Sequence, residues 1–367
     1  MANDFRIDLF SPAGVRFAQV NRFTALAFRS EVNWAGRLTA RFNAADAVVS
    51  QLEDKSHVEL YWRDKALSPT WIKLFGGIYR KRHFEQQDTK VFELTALDYK
   101  IMLAYRVNAF YANLSNKTKF IGVAAETIMK TLVQYNLTSS ATTVNGRLRA
   151  GTNWPSTVIS LQADAAGGNA LDWYCAQVTI LENLRDLALI SGGDFDLIKT
   201  GTNAFQFRWY SGQRGTDKHT TVIFSVARGN MGSPTYDLDL SQEFTSGIIG
   251  GQGEDSDRDF ATATGANYAA GNDIETFVAA TQIEKGNLAG LADAGAKRLT
   301  ELQAYDVFGF DILQTQNTQF GVHYGLGDLV SVVNPFTDVA STLKVWAVNG
   351  ELQDTGMTKL SVEVGTP

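Results

Sequence analysis

From position 26 to position 42 every even-numbered residue is apolar or small: Leu26, Phe28, Ser30, Val32, Trp34, Gly36, Leu38, Ala40 and Phe42. The odd positions between them are mostly polar, with Arg29, Glu31, Asn33, Arg37, Thr39, Arg41 and Asn43 among them. A period of two sustained over these 17 positions predicts β-structure with one buried and one wet face. Residues 5–10 read as a first strand, followed by the turn Ser11-Pro12-Ala13-Gly14. Residues 58–62 read as another strand. Residues 72–84 and 91–97 read as the arms of a hairpin around the polar loop 85–89, with Phe92, Leu94 and Ala96 alternating against Glu93 and Thr95. Repeated strands with short polar turns suit a small barrel or sandwich.

The pattern then changes. Residues 120–135 predict a helix with Ile121, Ala124, Ala125, Ile128 and Leu132 on one face and Thr118 as its cap. A polar stretch over 138–152 reads as loops. Thr179-Ile180-Leu181-Glu182 is a capping box that opens a second helix, which Gly192-Gly193 ends. Strands are expected at 194–198 and 204–209, joined by the turn Thr200-Gly201-Thr202-Asn203, and again at 222–226. The remainder predicts a helix over 288–302 and strands at 307–313, 329–333, 343–348 and 359–364. Asn349-Gly350 has the composition of a two-residue hairpin turn. The resulting class is mainly β with α+β insertions. Four regions follow: a β-domain over 1–105, a helix-containing insert over 106–175, a small α+β domain over 176–240 and a second β-domain with one helix over 241–367. The two ends are alike in class and share no internal repeat of high identity.

Composition narrows this little. A chain of 367 residues suggests two to four domains. Its net charge of −6 argues against a nucleic-acid partner held by general electrostatics. The single Cys175 excludes an intrachain disulfide and reads as a buried thiol among Trp173, Tyr174 and Ala176. The first residues lack a signal-peptide pattern, and no apolar run reaches the ~18 residues of a membrane span. The expectation is therefore a soluble protein made in a cytoplasm. On that expectation the sequons at Asn113, Asn116 and Asn136 carry little meaning.

No catalytic motif stands out. His57, His83, His219 and His323 show no metal-ligand spacing. The run Arg80-Lys81-Arg82-His83 reads as a solvated strand end or a subunit contact before it reads as a phosphate patch. The glycines at 247, 250, 251 and 253 lack the context of a phosphate loop and read as a flexible loop between domains. Glu254, Asp255, Asp257 and Asp259 begin like a calcium loop. However, Phe260 stands where such a loop needs glycine and Ala266 where it needs glutamate. A solvated loop is the cheaper reading, and a loop facing a channel or a partner is another. Asp194 and Asp196 point to one face of a strand, read here as a wet strand entry, with a carboxylate hydrolase as the weaker reading. Trp62, Trp71 and Trp209 are either sugar-stacking platforms of a carbohydrate- or receptor-binding β-protein, or core residues. No cofactor, metal or catalytic residue is expected.

Three stretches in order carry a resemblance. They are Leu74-Phe75-Gly76-Gly77-Ile78-Tyr79 with its continuation over 92–103, Glu182-Asn183-Leu184-Arg185-Asp186-Leu187-Ala188 leading into Asp194-Phe195-Asp196, and Tyr324-Gly325-Leu326-Gly327-Asp328-Leu329-Val330. In this order the chain resembles the tail hub (baseplate hub) proteins of long-tailed bacteriophages, themselves similar to contractile-tail and secretion-system spike hubs. The resemblance implies a homotrimer in which each subunit carries two tube-like β-barrel domains flanking a mixed helical and β middle. It implies a ring of six similar barrels that joins a sixfold tail tube or distal tail ring to a threefold fibre or spike. Tape-measure protein and DNA would pass through its channel, and its place would be the virion's tail tip. It implies no catalytic residue. Many such hubs continue into a peptidase, lysozyme or fibre domain, so those activities are expected on another chain.

Overall fold

The alternating stretch folds as two strands, not one. In the computed structural model, which describes all residues except 1–2, 69, 87–89, 112–116, 154–156, 353–357 and 367, the N-terminal region contains β1 (Asn3–Phe10), β2 (Arg16–Val20), β3 (Ala25–Glu31), β4 (Arg37–Asn43), β5 (His57–Asp64), β6 (Ile72–Gln86) and β7 (Lys90–Asp98). Residues Leu26 and Phe28 of β3 pair with Ala40 and Leu38 of β4. Even positions thus meet even positions, so one face stays apolar through the turn and the alternation never breaks. Asn33 makes the turn at φ 57°, a left-handed conformation that asparagine tolerates well. The loop expected at 85–89 is shorter: Glu85 and Gln86 belong to β6, and the rest lies outside the described residues. The sequons at Asn113 and Asn116 also lie outside them.

The middle of the chain holds α2 (Ile101–Ala104), following the short α1 (Ala47–Gln51), then β8 (Thr118–Ala124), α3 (Ala125–Leu137), β9 (Val158–Leu161), β10 (Ala170–Cys175), α4 (Ile180–Ala188), β11 (Gly193–Gly201) and β12 (Ala204–Ser211). The helix expected from 120 begins at Ala125, because residues 118–124 pair with β10 instead. Thr118 does not cap it. Its buried hydroxyl accepts from Asn108 Nδ2 at 2.8 Å and donates to the Phe110 carbonyl. The capping box at Thr179 forms as expected: Thr179 Oγ1 accepts from Glu182 N, and Glu182 Oε2 from Thr179 N, both at 3.2 Å.

The last third contains β13 (Ile223–Phe224), β14 (Met231–Asp239), β15 (Ser246–Gly250), β16 (Phe260–Thr264), β17 (Glu275–Ala279), α5 (Leu288–Glu301), β18 (Tyr305–Ile312), β19 (Leu329–Val333), β20 (Ala340–Leu352) and β21 (Thr358–Gly365). Only half of the glycine cluster is loop, Gly251 and Gly253. Gly247 and Gly250 lie in β15, the central strand of a three-stranded sheet under α5. Gly250 leaves room for Phe277, whose ring a Cβ would meet at 2.8 Å. Asn349-Gly350 is not a turn either. Both lie inside β20, with Gly350 opposite Leu360 of β21 on one side and Phe28 of β3 on the other. A Cβ there would sit 2.3 Å from the Phe28 ring, so glycine serves close packing rather than chain reversal.

Thirteen strands form one ladder, in the order β14-β18-β21-β20-β3-β4-β7-β6-β5-β1-β2, with β19 also on β20 and β13 on β19. The expected barrels do not close among the described residues. Strand β3 has its edges taken by β4 and β20, so it cannot turn back onto β2. One apolar core runs through both halves, from Ile7, Leu38 and Leu60 to Phe224, Val330 and Val345.

The halves repeat each other. Strands β3, β4, β7, β6 and β5 lie side by side in the same chain order as β14, β18, β21, β20 and β19, all antiparallel. Each copy carries a bulge at the same place, at Arg80 of β6 and at Trp346 of β20. Counting from those bulges matches Leu38, Ala40 and Phe42 with Phe308, Phe310 and Ile312, and Phe92, Leu94 and Ala96 with Leu360, Val362 and Val364, all buried. The repeat lies in topology and register, not in letters.

Replacing Gly350 with alanine should cost roughly 1–3 kcal/mol through overpacking against Phe28. Denaturant melts of Gly350→Ala alone and with Phe28→Leu check this; partial recovery in the double variant is expected.

Candidate functional site, a buried charged junction

The three parts of the chain meet at a set of buried ionic groups. Asp194 and Asp196 stand two apart on β11 and share a face, as the sequence implied, but that face is buried. Asp194 Oδ2 lies 2.6 Å from Lys344 Nζ of β20, and Asp194 Oδ1 accepts from Asn33 Nδ2 at 2.7 Å. The Asn33 side chain completes the contact by accepting from Phe195 N at 2.9 Å. Asp196 Oδ2 lies 2.7 Å from Arg214 Nε, while its other oxygen is 3.5 Å from Lys100 Nζ, which also pairs with Asp98 at 3.3 Å. The N-terminal sheet contributes Asn33 and Asp98, the middle β11, and the C-terminal sheet Lys344. Burial alone would raise the Asp196 carboxyl, but the charges of Lys100 and Arg214 outweigh it and hold the group well below the usual carboxylate range.

A second cluster adjoins the first across a cleft of about 310 Å³. Glu59 of β5 receives Lys73 Nζ at 2.8 Å and Lys199 Nζ at 3.1 Å on one oxygen, and the Tyr61 hydroxyl at 2.7 Å on the other. Burial opposes ionisation of Glu59, yet Lys73 and its other partners bring the group down to about 2. His57 is fully buried and packs against the rings of both Tyr99 and Phe205, which also touch each other. Burial first, and the charge of Lys199 second, push its imidazole down to about 4.

The carboxylates and cations of these two clusters are saturated by one another, which is the chemistry of a clamp. A general acid or base needs a proton it can exchange near neutrality, and Asp194 and Asp196 instead carry close cationic partners. The other residues singled out from sequence lie apart. Asp255 and Asp257 form a short exposed turn next to Glu254. Asp257 pairs with Lys285, and Asp259 Oδ2 accepts from Gly286 N at 2.6 Å. Among the described residues no group of three or more His, Cys, Asp or Glu side chains is placed to hold a metal ion. Trp62 and Trp209 are core residues, and Trp71 lies between the guanidiniums of Arg6 and Arg63 at 4.6 and 4.4 Å. Cys175 is buried, and burial pushes its thiol up to about 12. Among the described residues no helix is long and apolar enough to cross a membrane. Lys100, Arg214, Lys344 and Glu59 were not singled out from sequence.

A family model described as Siphovirus ReqiPepy6 Gp37-like protein matches residues 6–366, nearly the whole chain. The chain belongs to that family. Its fold is that of phage tail proteins. The 43 kDa tail protein of prophage MuSo2 from Shewanella oneidensis superposes with a TM-score of 0.62 at 10% identity, covering 99% of this chain and 98% of its own. A tail protein from Neisseria meningitidis MC58 gives 0.60 at 12% identity, covering 100% and 97%. The lidded PdpA–VgrG complex of Francisella gives 0.55 at 7% identity, covering 99% of this chain and 52% of the matched one. No curated protein sequence matches. This Gp37-like chain is thus a phage tail-type protein by family and fold, and the resemblance read from its motifs holds.

Asp194→Ala strands Lys344 in the interior and should cost about 3–5 kcal/mol, whereas the Asp194→Leu, Lys344→Met pair should recover most of that. Chemical denaturation of the two variants measures the difference. For His57, the unfolded chain binds a proton near its ordinary value of about 6.5 while the folded chain does not. Stability is therefore complete above that pH and falls as pH drops toward about 4. Between about pH 7 and about pH 5 the loss should be about 2 kcal/mol, and it should be absent from His57→Phe. Urea titrations of both chains at the two pH values check this. Glu59 and Asp196 contribute a separate loss at lower pH, because their folded values lie below the unfolded ones.

Proposed function

We propose that this protein is the structural hub at the distal end of a phage tail. It forms a trimeric ring that joins the sixfold tail tube or distal tail ring to a threefold fibre or spike, and its central channel passes the tape-measure protein and DNA. The observation that carries the reading is the internal repeat. One β-unit occurs twice per chain with the same strand order and the same bulge, so three copies present six similar units to a sixfold neighbour and three identical ones to a threefold neighbour. The family and the phage-tail fold support the setting. The role is mechanical: the buried charges fix the middle region against both sheets, and no residue is assigned to catalysis. A net charge of −6 suits a wall past which DNA must slide without sticking. The exposed turn bearing Glu254, Asp255, Asp257 and Asp259 faces the channel or a neighbouring tail protein on this reading.

Native mass spectrometry and negative-stain microscopy of the purified chain over a range of concentrations test the reading. Three-copy particles with an axial hole are expected. A chain that stays monomeric at every concentration, alone and mixed with distal tail ring protein, contradicts it.

A further inference from the structure

Within one chain the two β-units are joined edge to edge. Residues 347–352 of β20 extend past β19, and the edge so exposed takes up β3, with Phe28 opposite Gly350, Arg29 opposite Asn349 and Glu31 opposite Ala347. The repeat gives each partner a counterpart. The match of β20 is β6, and the match of β3 is β14. Strand β6 likewise runs past β5: the ladder to β5 stops at Ile78, and residues 81–86 pair only with β7 among the described residues. Strand β14 ends the ladder, with β18 on one edge and, among the described residues, no strand on the other. One chain therefore displays both halves of the joint it uses internally, β14 at the end of the ladder and the second half of β6 where β5 has stopped.

The surfaces have the composition of a joint left open. Residues 80–86 of β6 and 235–239 of β14 are exposed on both faces. Phe28 and Ser30 are buried in β3, whereas their counterparts Tyr236 and Leu238 are 38% and 51% exposed, and Phe84, the counterpart of Gly350, is 58% exposed. The charges are opposite: Lys81, Arg82 and His83 on β6, and Asp237 and Asp239 on β14. An unprotected edge of this kind templates pairing with another chain.

We propose that β14 of one copy adds to the free edge of β6 of the next, in the antiparallel register that β3 uses on β20. The proposal rests on the ring reading above. Carrying the internal register across places Tyr236 opposite Phe84, Asp237 opposite His83, Leu238 opposite Arg82 and Asp239 opposite Lys81. Directly opposite side chains share a face, so an aromatic pair lies on one side of the new ladder and two acid–base pairs on the other. The contact is head to tail, and it closes into a ring because the joint inside each chain and the joint between chains are alike.

Two charge-reversed chains test this, Lys81→Glu with His83→Glu, and Asp237→Lys with Asp239→Lys. Each should need about tenfold or more higher concentration to assemble, with its thermal melt unchanged. A chain carrying all four changes should regain wild-type assembly, since every contact is again acid on base. Independently, His83→Cys with Asp237→Cys should give disulfide-linked dimers and trimers on oxidation, while Arg82→Cys with Asp237→Cys, whose side chains leave opposite faces, should not. Rings that form in every charge variant alike and never cross-link overturn this interface and leave the ring reading intact. A wild-type chain that forms no ring overturns both.

Discussion

The pairing of β3 with the second half of β20 is the constraint on which the rest depends. It brings residues 26–31 against 347–352, nearly the full length of the chain apart, and it turns two β-units into one ladder. Loop closure of that length is slow to form and gives little until both partner sheets exist, so the two ends should fold as a cooperating pair. Side chains reinforce the joint. Arg29 of β3 makes a two-pronged contact with Glu363 of β21, where its Nη2 donates to Oε2 at 2.9 Å, and Asn349 also donates to Glu363, at 3.0 Å. The Glu363 hydrogen bond, first among its influences, raises the Arg29 value further above the arginine range. Phe28 lies over Gly350 where no other residue fits.

The buried junction has the complementary task. The middle region already shares an apolar core with the N-terminal residues Ile78, Tyr99 and Leu103, and the ion pairs add directional contacts to that non-directional packing. Asp194, Asp196 and Glu59 each meet a cation from another part of the molecule, Lys344, Lys100 and Lys199 respectively, and these pairings leave one arrangement satisfied. Ion pairs of this kind add little net stability over apolar packing, but they penalise every alternative placement, because a displaced partner leaves an unpaired charge in the interior. On the proposed hub reading, orientation is what such a component needs: its two β-units and its middle region would present fixed geometry to neighbours of different symmetry.

The strands were legible in sequence where one face was wet. The alternation over 26–42, the arms at 72–84 and 91–97 and the Thr179 capping box all appear as their patterns imply. What failed did so for long-range reasons. Asn349-Gly350 carries the letters of a hairpin turn, yet its conformation is set by Phe28, far away in sequence. Residues 120–124 carry a helical pattern but are claimed by β10, which offers a strand edge. Asp194 and Asp196 look like wet carboxylates because Lys344, Arg214 and Lys100 lie elsewhere in the chain. Barrel closure was undecidable from spacing, since the edge that would close the first unit is spent on β20. The repeat escaped notice because what it preserves is register and bulge position, not residue identity.

The central claim is that one joint, used once inside the chain, is used again between copies to close a ring. A cryo-electron microscopy reconstruction of the assembled particle without imposed symmetry tests it most directly. The account predicts six β-units around an axial hole, with β14 of each copy laddered onto β6 of the next as β3 is onto β20. A closed particle in which residues 81–86 and 235–239 stay in solvent would contradict it.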